Sequence, residues 1–459
     1  MVVFTSDHGE SLGDHGESTH GYFIYQSTLR VPLIIHWPSG SKGFAARVDE
    51  PASLLEVAPT ILQFADIARP SEFQGRSLLG WSTEKPPGGA EEVYSESLYA
   101  RNHFGCSSLQ SLRLGRYKYI EAPRPEFYDL AKDPGETQNL YPFKKSFALY
   151  LRERLQALRS RFRVTRSAES RPLNPEAVAA LNSRGYVAVS HAASNPTESR
   201  PDPKDRIADS ESYSRALALV ASGRLTEANL RLEQLRTKFP DVIDIRLSLG
   251  VNQQRLKQHK EATENFRQAL KQDPLCVLAH FNLAVSYSEL QQLDDAIKEL
   301  QAVLAIAPYY TRADELLGTL WLQKKDYERA RAHFNHLLAT APEDYTAHYN
   351  LGVLATLEGK WSEGERHLRS ALATDPKSAE AYNSLGSLYL RRGDLDRARQ
   401  ALAEAIRLEP KFAWARYNLG LVFRQQKRND EAAREFREAL VADPKFQAAR
   451  EALDHLERP

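Results

Sequence analysis

Residues 342–376 read PEDYTAHYNLGVLATLEGKWSEGERHLRSALATDP, and this stretch decides the fold of the larger part of the chain. It runs from one proline to the next, 34 residues on. The same interval separates Pro240, Pro274, Pro308, Pro342, Pro376, Pro410 and Pro444. Numbering each unit from position 209 onward, the eighth place holds Ala216, Gly250, Ala284, Gly318, Gly352, Gly386 and Gly420. The twentieth holds Ala228, Ala262, Ala296, Ala330, Gly364, Ala398 and Ala432. The seventh is Leu from Leu249 to Leu419. The twenty-fourth is always Leu or Phe (Leu232, Phe266, Leu300, Phe334, Leu368, Leu402, Phe436). Small residues let two helix backbones approach, and Leu or Phe fills the space between them. Proline lacks an N–H and clashes with the preceding turn, so it ends the second helix. Each unit is therefore expected to be an antiparallel helix pair. One pair cannot bury its apolar face alone, so neighbouring pairs must stack.

This pattern resembles the tetratricopeptide repeat family. The resemblance implies an all-α superhelical solenoid of seven repeats over 209–446, with 447–459 (from AAREALDHLE) as a capping helix, able to fold by itself. It also implies a concave face that holds a protein or peptide. Asn282, Asn350 and Asn418 share the sixth place, where Asn can bond an extended peptide backbone. Local capping or packing is the competing reading, and Ser248, Leu316 and Ser384 interrupt the series. His333, His336, His348 and His367 cluster in two consecutive repeats. The pattern sets no acidic or Cys partner beside them, so solvated or stacked histidines are expected rather than a metal site.

Composition narrows the function. The chain has 459 residues, with 61 Lys plus Arg against 60 Asp plus Glu, a net charge of +1. That balance argues against nucleic acid as a partner. A hydrophobic share of 42% is enough for sizeable cores. Cys106 and Cys276 are too few for a disulfide scaffold or a Cys-rich zinc module. No apolar run reaches the about 18 residues of a membrane span. MVVFTSDHGE has neither a basic n-region nor an apolar h-region, so this chain as written points to the cytoplasm.

The N-terminal third differs in kind. VVFTS (2–6) reads as a strand that runs into Asp7-His8-Gly9, within the ligand-rich run SDHGESLGDHGESTHG. An Asp-His pair directly after a strand is well placed to hold a metal, and carboxylate with imidazole suits a hard or borderline divalent cation. A polar loop with capping Asp is the bland alternative. YFIYQSTLR follows as a helix-like stretch, then Val31 to Ile35 as a buried strand of parallel type. PASLLEVAPTILQFADI is an amphipathic helix, SLRLGRYKYIEAP a strand pair, and Asp133-Pro134-Gly135 a turn.

The ordered segments TSDHGESLGDHG, LRVPLII, VAPTIL, GRSLL, RYKYI and FYDLAKDPGETQNL resemble the C-terminal part of the sulfatase family, within the alkaline-phosphatase superfamily. The resemblance implies an α/β region over 1–165 and a linker with a short helix (NPEAVAALNSRGYV) over 166–208. It also implies hydrolysis of a sulfate-ester substrate. Asp7 matches a ligand of a divalent metal, usually Ca²⁺, and only part of that site is present. His8 stands where sulfatases often have Asn and related phosphonate and phosphodiester hydrolases have His, which leaves sulfate against phosphate open. His20 matches a cationic group that contacts the sulfuryl and the leaving group, and as His it can act as general acid. His15 is expected to orient the loop. The family nucleophile arises in a C/S-x-P/A-x-R motif. CSSLQ at Cys106 and CVLAH at Cys276 do not fit, and Ser194 to Glu198 lacks the Arg. Only three residues precede Phe4, so the expectation is a truncated gene model or fragment, inactive alone, with a split enzyme as the alternative. A full-length parent would be exported by family habit. A repeat scaffold without catalysis is the rival reading.

Overall fold

The computed structural model describes residues 1–38, 47–48, 51–71, 73–80, 92–161 and 200–457. The linker helix expected within 174–187 and the Ser194 near-motif lie outside the described residues. The chain divides into two units, 1–171 with 189–276, and 172–188 with 277–459.

In the first unit, β1 (Val2–Thr5) pairs antiparallel with β2 (Leu33–His36), Phe4 opposite Ile34. The parallel, buried strand expected at 31–35 is therefore corrected to one half of an antiparallel ribbon. Side chains alternate faces along a strand. Val3 and Ile35 are half-buried on one face, while Val2, Phe4 and Ile34 on the other are about 60% exposed. No second layer covers that face among the described residues.

The second sheet is an antiparallel meander of β3 (Glu92–Ser97), β4 (Leu109–Leu114), β5 (Tyr117–Glu121) and β6 (Glu126–Asp129). The expected strand pair is β4–β5, closed by Gly115 and Arg116, with Gly115 at a φ of 57° as a two-residue turn requires. Leu112, Tyr119 and Phe127 lie side by side in register on one face. They pack on Ala148, Leu151 and Leu155 of an α-helix, Lys145–Arg161. Ile120 and Tyr128 point the other way, into a core with Tyr22, Phe23, Ile24 and Tyr25. That core also takes Tyr213, Leu232, Leu235, Ile245 and Leu249, so helices Ile207–Ala221, Leu225–Lys238 and Ile243–Arg255 of the first repeats share it. The expected amphipathic helix at 51–67 is Val57–Phe64, preceded by a 3-10 turn that Ser53 and Glu56 cap reciprocally.

The 34-residue unit is a helix pair throughout, beginning with Ile207–Ala221 and Leu225–Lys238 and ending with Ala413–Gln425 and Asn429–Ala442; Gln447–Glu457 is the final helix. The eighth and twenty-fourth places meet within each pair. A Cβ added at Gly318 would lie 2.6 Å from the Phe334 ring, and at Gly250 and Gly420 about as close to Phe266 and Phe436. Where the eighth place is Ala, at 216 and 284, the twenty-fourth is Leu. Phe at the twenty-fourth place faces only Gly, whereas Leu faces Ala at 216 and 284 and Gly at 352 and 386, so the bulkiest side chain always meets the smallest residue. The turn between paired helices holds a left-handed residue at one place in every repeat. Glycine takes it at 223, 359 and 393, and Lys257, Gln291, Lys325 and Lys427 adopt it at a φ of 60°.

A polar pair recurs between the fourth and twenty-third places. His280 bonds Glu299 (2.5 Å), Asp314 bonds His333 (3.0 Å), His348 meets His367 (2.9 Å) and Arg416 bonds Glu435 (3.0 Å). Asp314, buried, also takes His336 (2.7 Å), so tertiary packing brings in an acidic partner that the sequence pattern did not reveal. The His348–His367 pair is buried, and its protons follow from its neighbours. Arg366 can only donate, so His367 Nε2 accepts; His367 Nδ1–H then donates to His348 Nδ1, and His348 Nε2–H donates to the Pro342 carbonyl. A further proton would set two N–H groups face to face. Burial first, then Arg366 and His348, push His367 down to about 4.

Two outcomes follow for the repeats. Gly318→Ala should destabilise fragment 277–457 by about 1–3 kcal/mol through overpacking, and Phe334→Leu should recover part of that loss. A double-mutant cycle by denaturant unfolding reads it, and strict additivity would contradict the size matching. The neutral His367 contributes stability that is complete above about pH 6.5, declines as pH falls, and is gone below about pH 4. Unfolding free energy against pH should therefore slope less steeply between those values in His367→Phe. An equal slope in the variant would remove His367 as its source.

Candidate metal and leaving-group site

The loop after β1 is set by its backbone. Gly9 N–H donates to the Thr28 carbonyl (2.8 Å), and a Cβ at Gly9 would sit 2.4 Å from the Ser27 carbonyl oxygen, so only glycine fits there. Ser11 N–H donates to Thr19 O and Gly13 N–H to Glu17 O, both at 2.8 Å. The Ser11–Thr19 bond brings residue 10 across from residue 20. Glu10 Oε1 accordingly accepts from His20 Nδ1 at 2.6 Å. The His20 ring stacks on His8 with centroids 3.7 Å apart and planes 24° apart. His8 Nδ1–H donates to the Gly9 carbonyl at 2.9 Å, which leaves its Nε2 as a lone pair, 3.6 Å from Asp7 Oδ2. A histidine oriented through its second nitrogen by a carbonyl is the usual arrangement of a metal-ligating imidazole.

Asp7, His8 and His20 thus come together. Asp7 is largely exposed, and its carboxyl is held below the ordinary carboxylate range, chiefly by its own backbone N–H, with smaller help from His8 and Ser6. His15 is elsewhere. Its ring stacks on Tyr25 (3.6 Å) and its Nε2 meets the Gly135 carbonyl (3.0 Å), so it ties the loop to the Asp133–Gly135 turn. Sequence reasoning passed over Glu10 and Glu17. The signal was present: DHGES occurs twice, at 7–11 and 14–18. The two copies fare differently. Glu10 is open to solvent and pairs with His20, whereas Glu17 is buried and accepts the N–H groups of Tyr22 (2.7 Å) and Phe23 (3.1 Å). Burial pushes the Glu17 carboxyl up to about 7, against the pull of those two N–H groups. Ser18 N–H donates to Glu211 (2.8 Å), so the first repeat also touches this loop.

The donor set fits a divalent cation: one carboxylate and one imidazole lone pair side by side, with Glu10 and His20 adjacent. Ligand atoms of His8, Glu10 and His20 lie within 4.8 Å of one another. In the second unit the Nδ2 groups of Asn282 and Asn350 donate to Leu278 O (2.8 Å) and Thr346 O (2.9 Å) in their own helices. That of Asn418 donates to Asn383 Oδ1 (2.9 Å). All three side chains are half-buried. No helix among the described residues is long and apolar enough to cross a membrane.

Residues 13–161 match the family model for the C-terminal part of N-sulphoglucosamine sulphohydrolase. Tetratricopeptide repeat models match 248–311, 315–379, 358–411 and 383–445. The chain is 31% identical over 145 residues to an Escherichia coli K12 protein named as the uncharacterized sulfatase YidJ, covering 30% of this chain and 27% of that one. It is 30% identical over 145 residues to an arylsulfatase of Clostridium perfringens (30% and 29% covered). It is 34% identical over 157 residues to a multifunctional alkaline phosphatase superfamily protein, PehA, of Trinickia caryophylli (30% of each chain). The chain spans under a third of the length of these relatives. Among solved structures, a tetratricopeptide repeat protein from Parabacteroides merdae superposes with a TM-score of 0.45 at 21% identity, over 54% of this chain and 98% of that one. The chain joins a region of sulfatase C-terminal type to a run of tetratricopeptide repeats.

Proposed function

We propose that this chain carries the metal-flanking and leaving-group side of a sulfuric-ester hydrolase, with the repeats as a protein-binding arm. The observation that supports it most is the stacked His8–His20 pair, with Asp7 beside one ring and Glu10 on the other, directly after β1. Asp7 and His8 would hold the divalent cation, Ca²⁺ by family resemblance. When bound, such an ion neutralises charge on the sulfuryl oxygens. Glu10 fixes the His20 tautomer by taking its Nδ1–H. His20 Nε2 is then the atom that holds or gives a proton at the leaving-group oxygen. His15 orients the loop through Tyr25 and the Gly135 carbonyl.

The reaction also needs a nucleophile, and no C/S-x-P/A-x-R motif occurs in these 459 residues. The chain alone is therefore expected to be inactive. Phosphodiester or phosphonate hydrolysis is the second reading, favoured by His8 beside Asp7 and by the likeness to a multifunctional phosphatase-superfamily protein. For the repeats, the Nδ2 groups of Asn282, Asn350 and Asn418 are already committed. A bound peptide would meet their carbonyl oxygens or displace those bonds. A scaffold without catalysis would use the repeats alone.

The purified chain should not turn over an aryl sulfate at an enzymatic rate. Turnover lost in both Asp7→Ala and His20→Ala would overturn that expectation. Where the nucleophile is supplied by added sequence or a second chain, Asp7→Ala should lose Ca²⁺ and activity together. His20→Ala should keep Ca²⁺ and lose roughly 10²–10⁴-fold in rate, most for poor leaving groups. Loss of Ca²⁺ in His20→Ala, with a rate insensitive to leaving-group pKa, would make His20 a ligand instead.

A further inference from the structure

The same loop carries a second donor set. We propose that His8, Glu10 and His20 form a site for a borderline divalent ion of the Zn²⁺ and Co²⁺ class, separate in chemistry from the Ca²⁺ role of Asp7 and His8. It shares His8 and His20 with the reading above and to that extent rests on it.

The geometry carries the argument. One ligand atom from each of the three side chains lies within 4.8 Å of the others. An ion with bonds of about 2.0–2.2 Å places tetrahedral donors roughly 3.3–3.6 Å apart. The His8 and His20 rings stack with planes 24° apart, so their in-plane lone pairs converge on one ion only after the side chains rotate out of the stack. The backbone beneath is already pinned by the Gly9–Thr28 and Ser11–Thr19 bonds. His8, Glu10 and His20 are 33%, 45% and 32% exposed, so an ion can reach them and their side chains have room to turn. The Nδ1 proton that His20 donates to Glu10 across 2.6 Å is one that an ion can replace, which makes uptake release protons.

The donor types decide the ion. Two imidazoles and one carboxylate favour Zn²⁺, Co²⁺ or Ni²⁺, whereas Ca²⁺ takes six to eight oxygens. Three protein donors leave one tetrahedral position for water or an anion. Occupation has a consequence for the proposed reaction. The ion would take the His8 lone pair and replace the Glu10–His20 Nδ1 bond that fixes the His20 tautomer, so it would compete with Ca²⁺ and disturb the proton-handling group rather than support it.

The test uses the whole chain. Zn²⁺ is titrated by calorimetry near neutral pH, and Co²⁺ is followed by its visible absorption. Ca²⁺ is titrated in parallel. Glu10→Gln and His20→Gln should each weaken Zn²⁺ at least about tenfold, while Asp7→Asn should leave Zn²⁺ within about threefold and remove any Ca²⁺ that the partial site binds. In the unmodified chain, Zn²⁺ should protect His8 and His20 from diethyl pyrocarbonate, a measurement that needs no variant. Equal Zn²⁺ affinity in Glu10→Gln, His20→Gln and the unmodified chain, or no protection of His8 and His20, overturns the proposal. So does Zn²⁺ binding that depends on Asp7 alone. If Ca²⁺ binding instead survives Asp7→Asn, the hydrolase reading fails while the Zn²⁺ result stands.

Discussion

One buried charge pair holds the first unit together. Lys118 on β5 is fully buried, donates to the Ile24 carbonyl (2.6 Å) and lies 2.7 Å from Glu136 Oε1. The other Glu136 oxygen accepts Gln26 N–H. Burial pulls the Lys118 pKa down, and Glu136 opposes the shift. Three pieces distant in sequence meet here: the Ile24–Gln26 segment that leaves the site loop, the central sheet, and the Asp133–Thr137 turn. Removing one member of such a pair typically costs about 3–5 kcal/mol, because the other charge stays buried alone. The Tyr22–Tyr25 segment is thereby fixed as a wall of the core, and the site loop before it inherits a defined position.

The same segment explains why repeats and sheet are continuous in the first unit. Tyr22–Tyr25 is apolar on more than one side. The sheet covers part of it, and Tyr213, Leu232, Leu235, Ile245 and Leu249 cover more. Tyr22 O–H donates to the Pro203 carbonyl (2.8 Å), and His103 pairs with the buried Asp244. The first repeat is thus part of the environment of the site loop, through Glu211 on the Ser18 amide.

The candidate site illustrates what a loop adds to a motif. His8 and His20 are 12 residues apart and stack because two backbone bonds close the loop between them. His15, in a second copy of the same pentapeptide, is turned to Tyr25 by a left-handed backbone at a φ of 52°. Identical residues therefore take different tasks. In the first DHGES Asp7 and Glu10 are exposed on either side of His8, and the second anchors the loop with its buried Glu17.

Sequence alone determined the elements whose cause is local and periodic. The 34-residue interval, the small residues at the eighth and twentieth places and the closing prolines each act within about one helix pair, so the repeats could be read directly. The ordered segments of the first 140 residues likewise singled out Asp7, His8 and His20, which the structure places side by side. What only the tertiary structure decided has non-local causes. The strand at 31–35 is antiparallel and open on one face because its partner is β1 rather than a larger sheet. Asp314 became the partner of two histidines because helix packing, not spacing, aligns the fourth and twenty-third places. Lys257, Gln291, Lys325 and Lys427 adopt a glycine-like backbone because the helix pairs they join dictate that turn. Glu10 and Glu17, indistinguishable in sequence, were separated by burial, which depends on what the rest of the chain places against each.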